Sequence, residues 1–197
     1  MRFVKYCFLL LFLFVNSEVA FSTQSFPVNL EQMTDRADVI FEGKCIKSEG
    51  VTILKALFPN GLDATKYTFT VGKVLKGTLK QGEEFVFMMA GGDKEKSIIQ
   101  HQPFVIGAPK FLAGSEYMLF LTPESKWGLR SPIGLGHGKF DVTTKGNTKE
   151  VRNIYNNKGL FKDVPTTKVG KGISLKSAGP ISLDEFENIV TNLKEKD

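Results

Sequence analysis

The 197 residues carry 26 Lys and Arg against 21 Asp and Glu, a net charge of +5. Lysines recur along the whole chain and are interleaved with acids, as in Gly92-Asp93-Lys94-Glu95-Lys96, so no basic stripe of the kind that grips nucleic acid is formed. With two cysteines in all, the chain is also no disulfide scaffold, and a fold must come from burial alone.

The chain opens with Arg2 and Lys5 followed by an apolar run from Tyr6 to Val15, and Ala20-Phe21-Ser22 supplies small residues at the spacing of a signal-peptidase site. This pattern predicts a signal peptide over residues 1–22 with cleavage after Ser22. The apolar run is too short for a bilayer span, which needs about 20 residues. A secreted or periplasmic protein is therefore expected, with no membrane span after cleavage. Cleavage takes Cys7 away and leaves Cys45 alone, alternating with Val39, Phe41 and Gly43 as a buried thiol.

After an extended lead-in, Leu30, Met33, Thr34 and Ala37 recur at helical spacing behind Asn29 as a cap, with Gln32 in the first turn. A short helix is expected from Leu30 to about Arg36. Val39 to Ile46 then reads as a strand facing inward at Val39, Phe41 and Cys45, and Gly43 marks a bulge or sharp coil. Ser48 to Lys66 reads as a long excursion, because Phe58-Pro59-Asn60-Gly61 is turn chemistry.

Tyr67 to Gly92 holds the strongest pattern in the chain. Tyr67, Phe69 and Val71 alternate with Thr68, Thr70 and Gly72. After the break at Lys76-Gly77, Phe85, Phe87 and Met89 alternate again. Two paired strands with one buried face follow. Asp93 to Pro109 reads as a second long loop, and Ser115 to Thr122 as a core strand apolar on both faces, stopped by Pro123. Trp127 to Ile133 and Lys139 to Thr143 are expected to pair around Gly134-Leu135-Gly136-His137-Gly138. Lys149 to Tyr155 reads as an edge strand, and residues 156–180 as an irregular connection. Ser182 and Glu185 then form a capping box for a last helix, whose stripe is Leu183, Phe186, Ile189, Val190 and Leu193.

The order of these signals resembles the netrin-like module, the domain shared with tissue inhibitors of metalloproteinases. The likeness spans roughly residues 31 to 143. It is carried by Arg36-Ala37-Asp38-Val39-Ile40-Phe41-Glu42-Gly43, by Tyr67 to Val71 leading into Lys73-Val74-Leu75-Lys76-Gly77, by Glu84-Phe85-Val86-Phe87, and by Glu116-Tyr117-Met118-Leu119-Phe120. The chain also looks similar to uncharacterised exported bacterial proteins with the same strand-turn-strand pattern and a Gly-rich segment like that from Gly134 to Phe140. The resemblance implies a mainly-β fold: a five-stranded, partly open OB-type barrel over residues 23–155, with a short N-terminal helix and a C-terminal helix over 181–197 packed on it. It also implies a metalloprotease-inhibitor activity as an alternative to a plain binding role. The inhibitors chelate zinc through an amino-terminal cysteine, however, and the expected mature end here is Thr23, so no residue inherits that part.

Catalytic signatures are absent from the sequence. No serine stands in Gly-x-Ser-x-Gly, and Cys45 has no His near it in sequence. His101 and His137 lie in separate loops without metal-ligand spacing. The expectation is thus a non-enzymatic binding or accessory module with no catalytic residue, metal or cofactor, acting as a monomer on an unidentified protein or small ligand. A hydrolase whose site is assembled in space is the more distant alternative. Aromatic and imidazole side chains in or beside loops are the candidate binding residues: Phe58, Phe104, Phe111, Trp127 and His137. The two long loops, 48–66 and 93–110, are the candidate binding face.

Overall fold

The computed structural model describes residues 28–56, 60–91, 108–169 and 177–194. The protein is mainly β. Its elements in chain order are α1 (Leu30–Arg36), β1 (Val39–Ile53), β2 (Leu62–Lys76), β3 (Glu84–Ala90), β4 (Glu116–Leu121), β5 (Lys139–Lys145), β6 (Thr148–Asn153), α2 (Thr166–Val169), β7 (Ile181–Ser182) and α3 (Leu183–Lys194). The strands form one antiparallel sheet in the order β3-β2-β1-β4-β5-β6-β7.

Helix α1 occupies the expected residues because its first turn satisfies itself. The Asn29 side chain accepts from the Gln32 N–H at 2.9 Å, and the Gln32 side chain accepts from the Asn29 N–H at 3.4 Å, which satisfies two of the donors a helix start leaves open. At the other end of the chain, Ser182 Oγ accepts from the Glu185 N–H at 3.5 Å and starts α3.

Each face of the sheet has its own core. Val39, Phe41, Cys45, Tyr67, Phe69, Val71, Phe87, Met89, Tyr117, Leu119 and Leu121 pack on one face, joined by Phe111. On the other, Ile40, Met118, Phe120, Phe140, Val142 and Val151 meet the apolar stripe of α3 and the buried side of α1. Strand β4 contributes to both, as its two-sided apolar pattern requires. Phe186 of α3 lies 4.8 Å from the Phe140 ring and 6.0 Å from the Phe120 ring, so the stripe read from the sequence finds its partner on β4 and β5.

Four features differ from the sequence reading. The first is the Ser48–Lys66 excursion. β1 runs on to Ile53 and β2 starts at Leu62, the pair staying in register through Glu49↔Lys66, Val51↔Ala64 and Ile53↔Leu62. Polar residues along this extension hide the strand from a hydrophobicity pattern, while the backbone ladder holds it. The second is the Trp127–Ile133 strand, which is a looped return with single bridges at Leu129 and Pro132. The third is the strand count: seven strands in an open sheet, where five in a partly open barrel were expected. Val151 and Asn153 of β6 face the helix-side layer, and β7 adds beyond them through Val151↔Ile181, so β6 is an interior strand where an edge was expected.

Gly43 shapes the middle of the sheet. A side chain there would meet the Phe41 ring at 2.7 Å and the Thr70 carbonyl oxygen at 2.8 Å. The β1–β2 ladder slips register beside it, and again between Cys45 and Lys47. Such bulges increase local twist and coil the strands. The stretch after β6 is irregular yet anchored: Leu160, Val164 and Val169 are buried against the helix-side core.

Candidate functional site

Outside the two cores, a cleft of about 310 Å³ lies where the end of β3 meets the segment that follows β4. Met89 and Ala90 form one wall, and Thr122, Pro123, Ser125, Trp127, Leu129, Arg130 and Ser131 form the other, with Ala108 and Leu135 closing it.

Local chemistry explains the second wall. Pro123 removes a backbone donor and ends β4. Ser125 then organises a tight turn: its Oγ accepts from the Leu129 N–H at 3.1 Å and from the Trp127 N–H at 3.4 Å, and its carbonyl accepts from the Gly128 N–H at 2.9 Å. Gly128 has φ +73°, a conformation glycine adopts without strain. The returning segment is tied to the end of β4 by Thr122 N–H to the Ser131 carbonyl at 2.9 Å and by Ser131 N–H to Thr122 Oγ1 at 3.1 Å, and to β3 by Arg130 N–H to the Met88 carbonyl at 2.8 Å. The turn therefore hangs against the sheet end with Trp127, 45% exposed, at its lip.

Arg130 fixes the floor. Its Nη1 donates to Asp38 Oδ2 at 2.6 Å and to the Thr122 carbonyl at 3.0 Å, while Nε lies 3.7 Å from Glu124 Oε2. Its side chain is only 16% exposed. Asp38 sits between α1 and β1, so this contact ties the cleft to the start of the sheet. Lys126 Nζ lies 5.0 Å from the centre of the Trp127 ring.

The described candidates from the sequence, Phe111, Trp127 and His137, are not gathered in one place. Trp127 lines the cleft. Phe111 is buried in the aromatic core, 4.7 Å from the Tyr67 ring and 5.3 Å from Tyr117, and is a packing residue. Its neighbour Leu112 donates its N–H to the Tyr117 hydroxyl at 2.9 Å, which holds Phe111 inward. His137 is 9% exposed and stacks on Tyr155, and burial lowers its pKa from the usual 6.5. Phe58, Phe104 and His101 lie outside the described residues, as does most of the 93–110 loop. Of the other loop proposed as a binding face, Ser48–Ile53 and Leu62–Lys66 are paired strand.

Among the described residues no group of three or more His, Cys, Asp or Glu is placed to hold a metal ion, and no helix is long and apolar enough to cross a membrane. Cys45 is a free, fully buried thiol whose pKa burial raises, and its Sγ lies 3.6 Å from the Lys47 carbonyl. A thiol held protonated in an apolar core is a weak nucleophile.

Sequence reasoning missed the cleft because Leu129 and Arg130 were read as strand, and Met89 and Ala90 as the end of one. The available signal was Pro123 two residues ahead of a serine, with the chain's single tryptophan and a glycine after it, which is turn chemistry that presents an aromatic side chain. A scan against models of protein families and a comparison with proteins of known function each found no match for this chain.

Proposed function

We propose that this protein is an exported binding or accessory module of netrin-like OB type, and that the cleft under Trp127 is where it takes its ligand. The observation that carries the reading is an apolar recess of about 310 Å³ between the end of β3 and the return after β4, with a half-exposed tryptophan at its lip. Recesses of this kind are the usual sites for small ligands.

The strand order supports the OB part of the proposal. β3-β2-β1-β4-β5 is the order obtained when an OB barrel is cut between its third and fifth strands, and the Met88↔Leu129 bridge ties β3 to the segment that leads from β4 towards β5. β6 and β7 then extend the cut edge, and α3 covers the outer face. OB-type barrels bind along one face and its flanking loops, which fits a cleft at the open end. Export rests on the N-terminal pattern of Arg2, Lys5, the apolar run and Ala20-Phe21-Ser22.

Two measurements test the reading. When the full chain is expressed in an exporting bacterial host, the protein recovered outside the cytoplasm should begin at Thr23; protein that still begins at Met1 removes the export half. Trp127 is the only tryptophan, so its emission reports the cleft directly. An uncharged apolar naphthyl probe should change that emission saturably, and Leu129→Asp should abolish the change while the fold is retained. A response that Leu129→Asp leaves intact removes the cleft as the site.

A further inference from the structure

We infer that the cleft selects an uncharged apolar group that carries a hydrogen-bond acceptor, such as an acyl or aryl ester, amide or ketone, and discriminates against carboxylates and other anions. The inference rests on the cleft being the binding site and adds the chemistry of its occupant.

The charged groups around the cleft are already matched to one another. The Arg130 guanidinium, the one cationic group in the wall among the described residues, is held by Asp38 Oδ2, approached by Glu124 Oε2 and bonded to the Thr122 carbonyl. Lys126 adds one positive charge at the lip, over the Trp127 ring. Among the described residues, two cations and two carboxylates thus sum to zero within the wall and its immediate supports. An entering anion would lose hydration and find the guanidinium already neutralised. A cation would meet carboxylates occupied by Arg130.

The uncharged polar groups point to an acceptor-bearing ligand. Ser125 Oγ accepts two backbone N–H bonds and Thr122 Oγ1 accepts one, which uses both lone pairs of the first hydroxyl and one of the second. Their O–H groups, and that of Ser131, have no acceptor among the described residues, so the cleft offers hydrogens more readily than lone pairs. Met89, Ala90, Ala108, Leu129 and Leu135 surround them with hydrocarbon. The volume suits one ring system or a short branched chain. An apolar body with a single carbonyl or ether oxygen satisfies both halves of this surface.

Three probes with one shared ring separate the possibilities: methyl 2-naphthoate, 2-naphthoate and 2-methylnaphthalene, each titrated against the full chain by Trp127 emission and by calorimetry. The neutral ester should bind more tightly than the anion by about tenfold or more, since an anion loses its hydration without gaining a free cation. It should bind more tightly than the hydrocarbon by about two- to tenfold, the worth of one neutral hydrogen bond. Ser131→Ala, which removes a hydroxyl that supports no backbone bond among the described residues, and Ser125→Ala should each narrow the gap between ester and hydrocarbon, with melting curves confirming that the variants fold. Naphthoate binding as tightly as the ester overturns the charge argument, and equal binding of ester and hydrocarbon overturns the acceptor argument. If the neutral ester and hydrocarbon bind and Leu129→Asp does not weaken them, it is the cleft assignment that falls. If none of the three binds, both fall.

Discussion

His137 and Tyr155 lie ring on ring, centroids 4.2 Å apart with 25° between their planes. The stack joins the Gly134–Gly138 turn to the residues after β6, and Asn153 Nδ2 donates to the His137 carbonyl at 3.4 Å on the same side. Gly136 permits the approach, since a side chain there would meet Ile154 Cδ1 at 2.4 Å. A ring buried in this way is held neutral, its pKa pushed below the usual 6.5 by loss of hydration.

The consequence for stability has a definite sign. Above pH about 6.5 the imidazole is neutral in both folded and unfolded chains and contributes no pH dependence. As pH falls through that value the unfolded chain takes up a proton that the folded chain refuses, so the unfolded state binds more protons and stability drops until the lower folded pKa is passed. Urea midpoints should therefore decline between pH 7.5 and 5. His137→Phe keeps a ring against Tyr155 and should remove this component of the decline. An unchanged profile in the variant would place the titration elsewhere.

Gly43→Ala should destabilise the protein by about 1–3 kcal/mol, the usual cost of forcing extra atoms into a packed site. The added carbon meets Phe41 and the Thr70 carbonyl below 3 Å, and the backbone atom cannot swing away as a flexible side chain could. Gly50, in the same strand with nothing within 4 Å of its would-be side chain, is the control: Gly50→Ala should cost little. Urea unfolding of the two variants side by side checks the contrast.

Asn157 is the second anchor of the region after β6. It is 1% exposed, with φ +59°, and its side chain donates to the Val151 carbonyl at 3.0 Å and the Gly179 carbonyl at 2.9 Å while accepting from the Asn153 N–H at 2.9 Å. Asn157→Ala should cost about 2–3 kcal/mol, because several buried backbone groups lose their partners at once. Asn157→Gly relaxes the backbone and still loses the amide, so it should recover only a minor part. Recovery to wild-type stability in the glycine variant would assign the residue's importance to its dihedral angles alone.

These anchors show which parts of the fold a sequence can carry. α1 and α3 were legible because Asn29, Gln32, Ser182 and Glu185 mark helix starts within three residues, and Phe186 and its neighbours repeat at a helical period. β4 was legible because six consecutive residues with two apolar faces need cover on both sides. The outer half of the β1–β2 hairpin was not, since Glu49, Thr52, Asp63 and Thr65 look like loop and are held by backbone pairing. Phe111 and Trp127 are both aromatics beside loops. Only the tertiary arrangement sends one into the core, through the Leu112 bond to Tyr117, and leaves the other at a cleft. Likewise, alternation along a strand fixes which side chains are buried and says nothing of whether the sheet closes on itself.

Lys139 tests how the buried end of β5 is stabilised. Its side chain is 10% exposed, its Nζ stands 4.8 Å from the Tyr117 ring centre and 5.9 Å from that of Phe111, and it bonds Asp141 Oδ1 at 2.9 Å. The ring faces and the carboxylate attract the amine end of the side chain, and taking it out of water costs energy. Asp141 is 48% exposed, so its charge can return to water if the lysine is removed. Lys139→Met keeps the hydrocarbon stem over Phe111 and Tyr117 and removes the charge; it should change stability by less than about 1 kcal/mol or raise it, as replacement of buried ion pairs by apolar residues often does. Lys139→Ala strips the cover from both rings and should cost about 2–3 kcal/mol by lost burial. If the methionine variant proves as damaging as the alanine one, the ammonium contact with the rings and Asp141 is the dominant stabiliser of this corner, and apolar cover is secondary.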